Sequence, residues 1–189
     1  MTEIAGILLA AGSARRFGTP KLLHPLQDGL PVAAAAAQTL VRVLPNTLAV
    51  VKPGDHALIE LFTELGLHIV ENPLADEGMG SSLAAGINAT AMKDGWLVAL
   101  ADMPWIQPTT ISALVDRLEN GAAMVAPVYS GRRGHPAGFS SRWRQPLSEL
   151  HGDKGARDLI VDNSDTLELL TTEDAGVLRD VDYPPDLYR

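Results

Sequence analysis

Apolar residues in the first two-thirds of the chain come in short unbroken runs, separated by longer stretches with a helical period. Ile4 to Leu9 is the first run, and Thr47 to Val51, Leu67 to Val70, Trp96 to Ala101 and Ala122 to Val128 repeat it. Such runs predict strands covered on both faces of a sheet. Between them, Pro31 suits the first turn of a helix over Val32 to Leu44, and its Ala33–Ala37 segment combines high helix propensity with small side chains. Leu58, Leu61, Phe62 and Leu65 share one face of a helix that Gly66 ends. Ser81 and Ser82 are N-cap candidates for a helix around Leu83 and Ile87. Pro108 opens a further helix with Ile111, Leu114, Val115 and Leu118 on one face. Strands alternating with helices predict a three-layer α/β fold with a mostly parallel sheet. Later strands, the last at Leu167 to Leu170, are expected to add an antiparallel piece and make the sheet mixed. With no linker and no repeat, one domain over 1–189 is expected.

Composition narrows the classes. A chain of 189 residues, 46% hydrophobic, is long enough to bury a full-sized core. The net charge of −8 argues against a general nucleic-acid binder. Its basic residues cluster instead at 15–21, 132–133 and 142–144, which suits a local anionic ligand. The absence of cysteine excludes disulfides and thiolate metal sites, and fits a cytoplasmic setting. Scattered histidines without cysteine also disfavour zinc. No basic leader precedes the first run, so a cleavable signal is not expected, and no run is long enough to span a membrane.

Chemistry concentrates where the apolar runs end. After Leu9, the residues Ala10, Ala11 and Gly12 leave the backbone bare, Gly18 and Pro20 bend it, and Arg15, Arg16 and Lys21 bring positive charge. Exposed amides beside cations are what a polyphosphate requires. The spacing is neither a P-loop, since five residues separate Gly12 from Gly18, nor a dinucleotide GxGxxG loop. An ordinary strand-to-helix turn remains the alternative. Asp102 follows the fourth apolar run directly. Ligands of open α/β sheets bind beyond the carboxyl ends of strands, so Asp102 suits a magnesium ligand facing the same crevice. Arg132, Arg133 and His135 lie among glycines, where guanidinium groups can hold a phosphate or simply face water from a hairpin turn. Asp180 and Asp182 fall on one side of an extended segment, and either is a candidate second metal ligand.

The segment Leu9-Ala-Ala-Gly-Ser-Ala-Arg-Arg-Phe-Gly-Thr-Pro-Lys21 resembles the LAAGxSxRxGxxK signature of the nucleotidyltransferases that attach a nucleotide to molybdopterin. Five further segments are similar to that family in the same order: Asn72 to Gly86, Asp102-Met-Pro104, Gly131 to Phe139, Gly152 to Arg157 and Asp180 to Leu187. Ala14 stands where the family usually has serine, leaving Ser13 as the nearest hydroxyl. The resemblance implies a Rossmann-like α/β/α nucleotidyltransferase fold and an Mg²⁺-dependent transfer of a nucleotide to a phosphorylated acceptor. By the same resemblance, Leu9, Ala10, Ala11, Gly12, Ser13, Arg16, Lys21, Gly78, Gly80, Ser81 and Ser82 would bind the nucleotide, with Arg16, Lys21 and Asp102 catalytic. Arg132, Arg133, His135, Asp153 and Arg157 would meet the acceptor, and Asp102 with Asp182 or Asp180 the metal. Ala10-Ala11-Gly12 is similar to the cytidylyl branch, which implies CTP and molybdopterin, with a molybdoenzyme as partner. A sugar or polyol phosphate acceptor, or a non-catalytic accessory role, would leave the opening loop unchanged.

Overall fold

In the computed structural model, which describes residues 2–12, 20–153 and 155–188, the opening run is strand β1 (Ile4–Leu9), buried at every position. The chain then alternates through α1 (Val32–Val43), β2 (Thr47–Val51), α2 (His56–Glu64), β3 (His68–Glu71), α3 (Met79–Ala89), β4 (Gly95–Leu100), α4 (Pro108–Glu119) and β5 (Met124–Tyr129). Two short strands follow, β6 (Arg132–Arg133) and β7 (Ala137–Ser140), then α5 (Arg144–Ser148), α6 (Arg157–Asp162) and β8 (Leu167–Thr171).

The strands form one eight-stranded sheet in the order β3-β2-β1-β4-β7-β5-β6, with β8 paired to β5. The order turns at β1: the chain moves outward to β2 and β3 on one side, then returns to place β4 on the other. Pairs among β3, β2, β1 and β4 are parallel, so the turns that leave these four strands emerge at one edge of the sheet. Strand β7 is antiparallel to both β4 and β5, as the mixed sheet predicted. The final strand departs from the expected antiparallel arrangement, because β8 runs parallel to β5. A crossover through α5 and α6 carries the chain back, which permits parallel pairing that a tight turn would not.

Helices cover both faces. On one side, Ala33, Ala37 and Leu40 of α1, Phe62 of α2 and Leu114 of α4 pack on Leu8, Ala49 and Leu97. On the other, Leu83 and Ile87 of α3, Leu147 of α5 and Ile160 of α6 pack on Ile7, Val50 and Val98. The side chains of β1 alternate between these two clusters, as the pleat requires. Trp96 is fully buried and donates its ring N–H to Thr90 Oγ1 at 2.9 Å, which satisfies its one polar atom. Among the described residues, no helix is long and apolar enough to cross a membrane.

Candidate active site

Register places the key turns together. Leu9 of β1 is opposite Leu100 of β4, and the Ala101 amide donates to Leu9 O at 3.0 Å. Ala10 donates to Val50 O at 2.9 Å, so the loop leaving β1 lies between those leaving β2 and β4. Lys21 begins a short 3-10 turn, Lys21–Leu23, whose Leu22 is buried and packs in the core with α1 and α2. That anchor turns the Lys21 side chain back across the sheet edge. Its Nζ donates to Asp102 Oδ2 at 2.8 Å and to Val181 O at 2.8 Å, with Asp182 Oδ1 at 3.5 Å.

A cavity of about 470 Å³ opens here, lined by Leu9, Ala10, Ala11, Gly12, Lys21, Gly78, Ser82, Asp102 and Asp153, together with Ala75, Asp76, Met79 and Leu100. A second, of about 360 Å³, shares Leu9, Met79, Leu100 and Asp153 with it and extends to Arg133, His135 and Arg157 over an apolar floor that includes Phe139 and Ile160. Of the residues read from the sequence, Leu9 to Gly12, Lys21, Gly78 and Ser82 for the nucleotide border the first space, Arg133, His135 and Arg157 for the acceptor border the second, and Asp153 borders both. Ser13 and Arg16 lie outside the described residues.

Several expected residues sit elsewhere. Ser81 turns away from the cavity: its hydroxyl donates to Leu74 O and Gly78 O, and both Ser81 and Ser82 accept from Asn72 Nδ2. The Gly80 amide is taken by Gly152 O at 2.8 Å. Ser81 and Gly80 hold the loop after β3 rather than line the cavity, while Ser82 both helps hold the loop and lines the cavity. Neither serine caps α3, which starts earlier, at Met79, with Gly78 as its N-cap. Gly78 has φ +122°, and a Cβ there would stand 2.5 Å from Asp153 Oδ1, so only glycine lets the two loops meet. Arg132 is exposed on β6 opposite Tyr129 and lines neither cavity. Met79 and Leu100, which line both cavities, are among the lining residues that sequence reasoning missed. Met79 lies inside the quoted Asn72–Gly86 segment, and Leu100 ends β4 two residues before Asp102, which was a usable signal for it.

The charges have identifiable causes. Burial pushes the Asp180 carboxyl above its usual range, and repulsion from Asp182 and Asp102 adds to this, against a lowering backbone hydrogen bond and the attraction of Lys21. Of the two C-terminal carboxylates, Asp182 is the one within reach of Lys21. Asp102 Oδ1 is buried with no hydrogen-bond partner among the described residues, and so is His135 Nδ1. Burial also lowers the His135 pKa, assisted by Arg133 and opposed by Asp102. A histidine that folds neutral binds fewer protons than the unfolded chain as pH falls through about 6.5, so acidification costs stability. The urea midpoint is therefore expected to fall between pH 8 and 5.5, and to fall less in His135→Gln. An equal fall in both proteins would show that His135 does not contribute.

The doubly covered sheet and the crevice at the turn of its strand order define a Rossmann-like nucleotidyltransferase fold. The chain belongs to the MobA-like NTP transferase domain family, whose model matches residues 6–167. It is 32% identical to nicotine blue oxidoreductase of Paenarthrobacter nicotinovorans, over 98% of this chain and 95% of that protein. It is 29% identical to the purine catabolism protein PucB of Bacillus subtilis, over 97% and 93%. A probable molybdenum cofactor guanylyltransferase of Bacillus cytotoxicus is 24% identical over 70% and 66%. Among solved structures, Rv0371c of Mycobacterium tuberculosis superposes with a TM-score of 0.87 at 27% identity, covering 100% of this chain and 96% of that one. Its manganese complex gives a TM-score of 0.81 at 26% identity, over 100% and 97%.

Proposed function

We propose that the protein moves a nucleoside monophosphate from a metal-bound nucleoside triphosphate, CTP in preference, onto the phosphate of a molybdopterin-class acceptor, with pyrophosphate leaving. The observation that carries this reading is the 2.8 Å contact between Lys21 and Asp102 inside one cavity. It joins the loop leaving β1 to the carboxylate leaving β4. A relative named as a probable molybdenum cofactor guanylyltransferase supports the acceptor class, and the Ala10-Ala11-Gly12 loop supports CTP.

A divalent metal fits the donors present. Asp102 Oδ1 is a buried carboxylate oxygen without a partner, a position that costs free energy unless something meets it. Hard oxygen donors suit Mg²⁺ or Mn²⁺, and a manganese complex of a similar protein supports a divalent site. Among the described residues no three carboxylates or histidines form a closed metal cluster. A magnesium site that draws its remaining ligands from phosphates and water needs only one or two carboxylates, here Asp102 with Asp182. When bound, the metal neutralises charge on the triphosphate.

The chain's own groups do the rest. Ala10, Ala11 and Gly12 line the larger cavity; the Ala10 amide is bonded to Val50 O, which leaves the amides of Ala11 and Gly12 to orient phosphate oxygens. Two of the Lys21 donors are engaged at 2.8 Å while the third contact is 3.5 Å, so one proton is the least committed and is free to follow charge developing on the leaving pyrophosphate. Arg133 and Arg157 at the second cavity would hold the acceptor phosphate. An oxygen of that phosphate bonds to the α-phosphorus as the α–β phosphoanhydride bond breaks. No covalent enzyme intermediate is needed, and catalysis is positioning plus charge stabilisation. The setting we propose is the cytoplasm, with a molybdoenzyme receiving the product.

The oxidoreductase name of one relative supports a second reading, hydride transfer from a nicotinamide cofactor. The stretch between Gly12 and Gly18 contains no further glycine, which counts against a dinucleotide loop. One assay separates the two. Pyrophosphate release is measured with CTP, GTP, ATP and UTP, with and without molybdopterin and Mg²⁺ or Mn²⁺, beside NADH and NADPH oxidation. Release that requires both metal and acceptor, greatest with CTP, is expected. Cofactor oxidation without pyrophosphate would favour the second reading, and molybdopterin binding without turnover would indicate a carrier.

A further inference from the structure

We infer that Asp174, which lines neither of the two cavities described above, is a positioning residue for the proposed nucleotidyl transfer. It pins a strap, residues 174–182, whose backbone holds Lys21, Asp102 and His135 relative to one another. The inference rests on that proposed activity.

Asp174 is only 4% exposed, and its carboxylate is fully engaged. Oδ2 accepts from Gln107 N and Thr110 Oγ1, each at 2.8 Å, and Oδ1 accepts from Gly176 N at 2.9 Å. Helix α4 opens with Pro108, and its N-cap, Gln107, supplies no side-chain hydrogen bond of its own. A carboxylate far along the chain serves the helix start instead, which fixes where the strap begins.

From this anchor the strap makes contacts along its whole length. A Cβ on Gly176 would stand 2.1 Å from Trp105 O, so the strap lies directly on the turn that follows Asp102. The Arg179 guanidinium stacks over the Trp105 ring at 4.2 Å. Val177 O accepts from His135 N at 2.9 Å. Val181 N donates to Asp102 O at 2.9 Å, and Val181 O accepts from Lys21 Nζ at 2.8 Å. A single segment, the 3-10 turn Ala175–Leu178 and the four residues after it, therefore touches one group from the loop after β1, one from the end of β4 and one from the loop before β7. Displacing it would move the ammonium and the carboxylate that meet the reacting phosphates, while leaving Ala10, whose amide is held by Val50 O of β2, in place.

Two variants test this. Asp174→Asn sets an amide NH₂ against donors that now meet carboxylate oxygen. Thr110→Val removes one hydrogen bond at the same carboxylate while keeping side-chain shape, and so remains informative should the first variant fold poorly. For Asp174→Asn, kcat for pyrophosphate release is expected to fall about 10- to 100-fold, with the CTP KM within about twofold, since a small displacement of catalytic groups costs on this order. Thr110→Val is expected to lose about threefold in kcat, in line with one hydrogen bond. Backbone hydrogen exchange gives a readout independent of turnover: the His135 and Val181 amides should exchange faster in both variants, and those of β1 should not change. Unchanged exchange at those two amides, with full kcat per folded molecule and only a lowered Tm, would overturn the inference and leave Asp174 as a tie for α4. Wild-type protein that releases no pyrophosphate would remove the proposed function, and the exchange result alone would then decide whether the strap positions these groups.

Discussion

Asp102→Asn is expected to lower kcat by on the order of 10²–10³, the usual cost of removing one preorganised stabilising group. The substitution keeps the side-chain size but removes the charge from the one carboxylate that both leaves β4 and has an oxygen free for a ligand. Lys21 would retain Val181 O at 2.8 Å and its approach to Asp182, so the turn it anchors should stay in place. The loss should therefore appear in turnover, with little change in the thermal midpoint. Steady-state pyrophosphate release beside a melting curve checks both halves. Full turnover in this variant would remove Asp102 from the chemistry.

Lys21→Met is expected to cost kcat a similar factor of about 10²–10³, and unlike the first substitution it should also destabilise the fold. The methionine keeps the apolar stem and deletes the ammonium. Asp102 Oδ2 and Val181 O, both partly buried, then lose their partner, at a cost of about 1–3 kcal/mol. For a chain of this length that corresponds to a Tm decrease of about 2–4 °C per kcal/mol. Because Lys21 and Asp102 touch, their effects should not add. The double variant Asp102→Asn/Lys21→Met is expected to lose less than the product of the two single factors. Independent, multiplicative losses would show that the two residues act at separate places.

The central parallel part of the fold was legible in the sequence because β1, β2 and β4 are buried on both faces. Such strands are continuous apolar runs: Trp96 to Ala101 was expected and Gly95–Leu100 is observed, a shift of one residue. Less legible was everything that depends on a distant partner. Nothing in Ala137 to Ser140 says that this short strand inserts between β4 and β5, and the direction of β8 depends on a crossover rather than on its own residues. At the loop after β3, the two serines suggested a cap because serine usually provides one. The structure instead spends Ser81 and Ser82 on Asn72, and the positive φ of Gly78 makes the turn.

The candidate site divides in the same way. Lys21 and Asp102 were identifiable because each follows a buried strand at the edge where α/β folds bind ligands, and the parallel register of β1 with β4 brings those edges together. Gly80 and Arg132 have the right chemistry, but an amide already bonded to Gly152 O and a guanidinium on an exposed hairpin do not face the cavities. Asp174 drew no notice. An aspartate in a polar stretch reads as a surface residue until its partners, more than 60 positions away, are known.

The most direct test of a shared nucleotide grip is CTP affinity measured by calorimetry with and without Mg²⁺, in wild type and in Asp102→Asn. Metal should tighten CTP binding to the wild type and make little difference to the variant, because the carboxylate that links metal to protein is gone. Equal tightening in both proteins would contradict a metal-bound nucleotide held between the loop after β1 and Asp102.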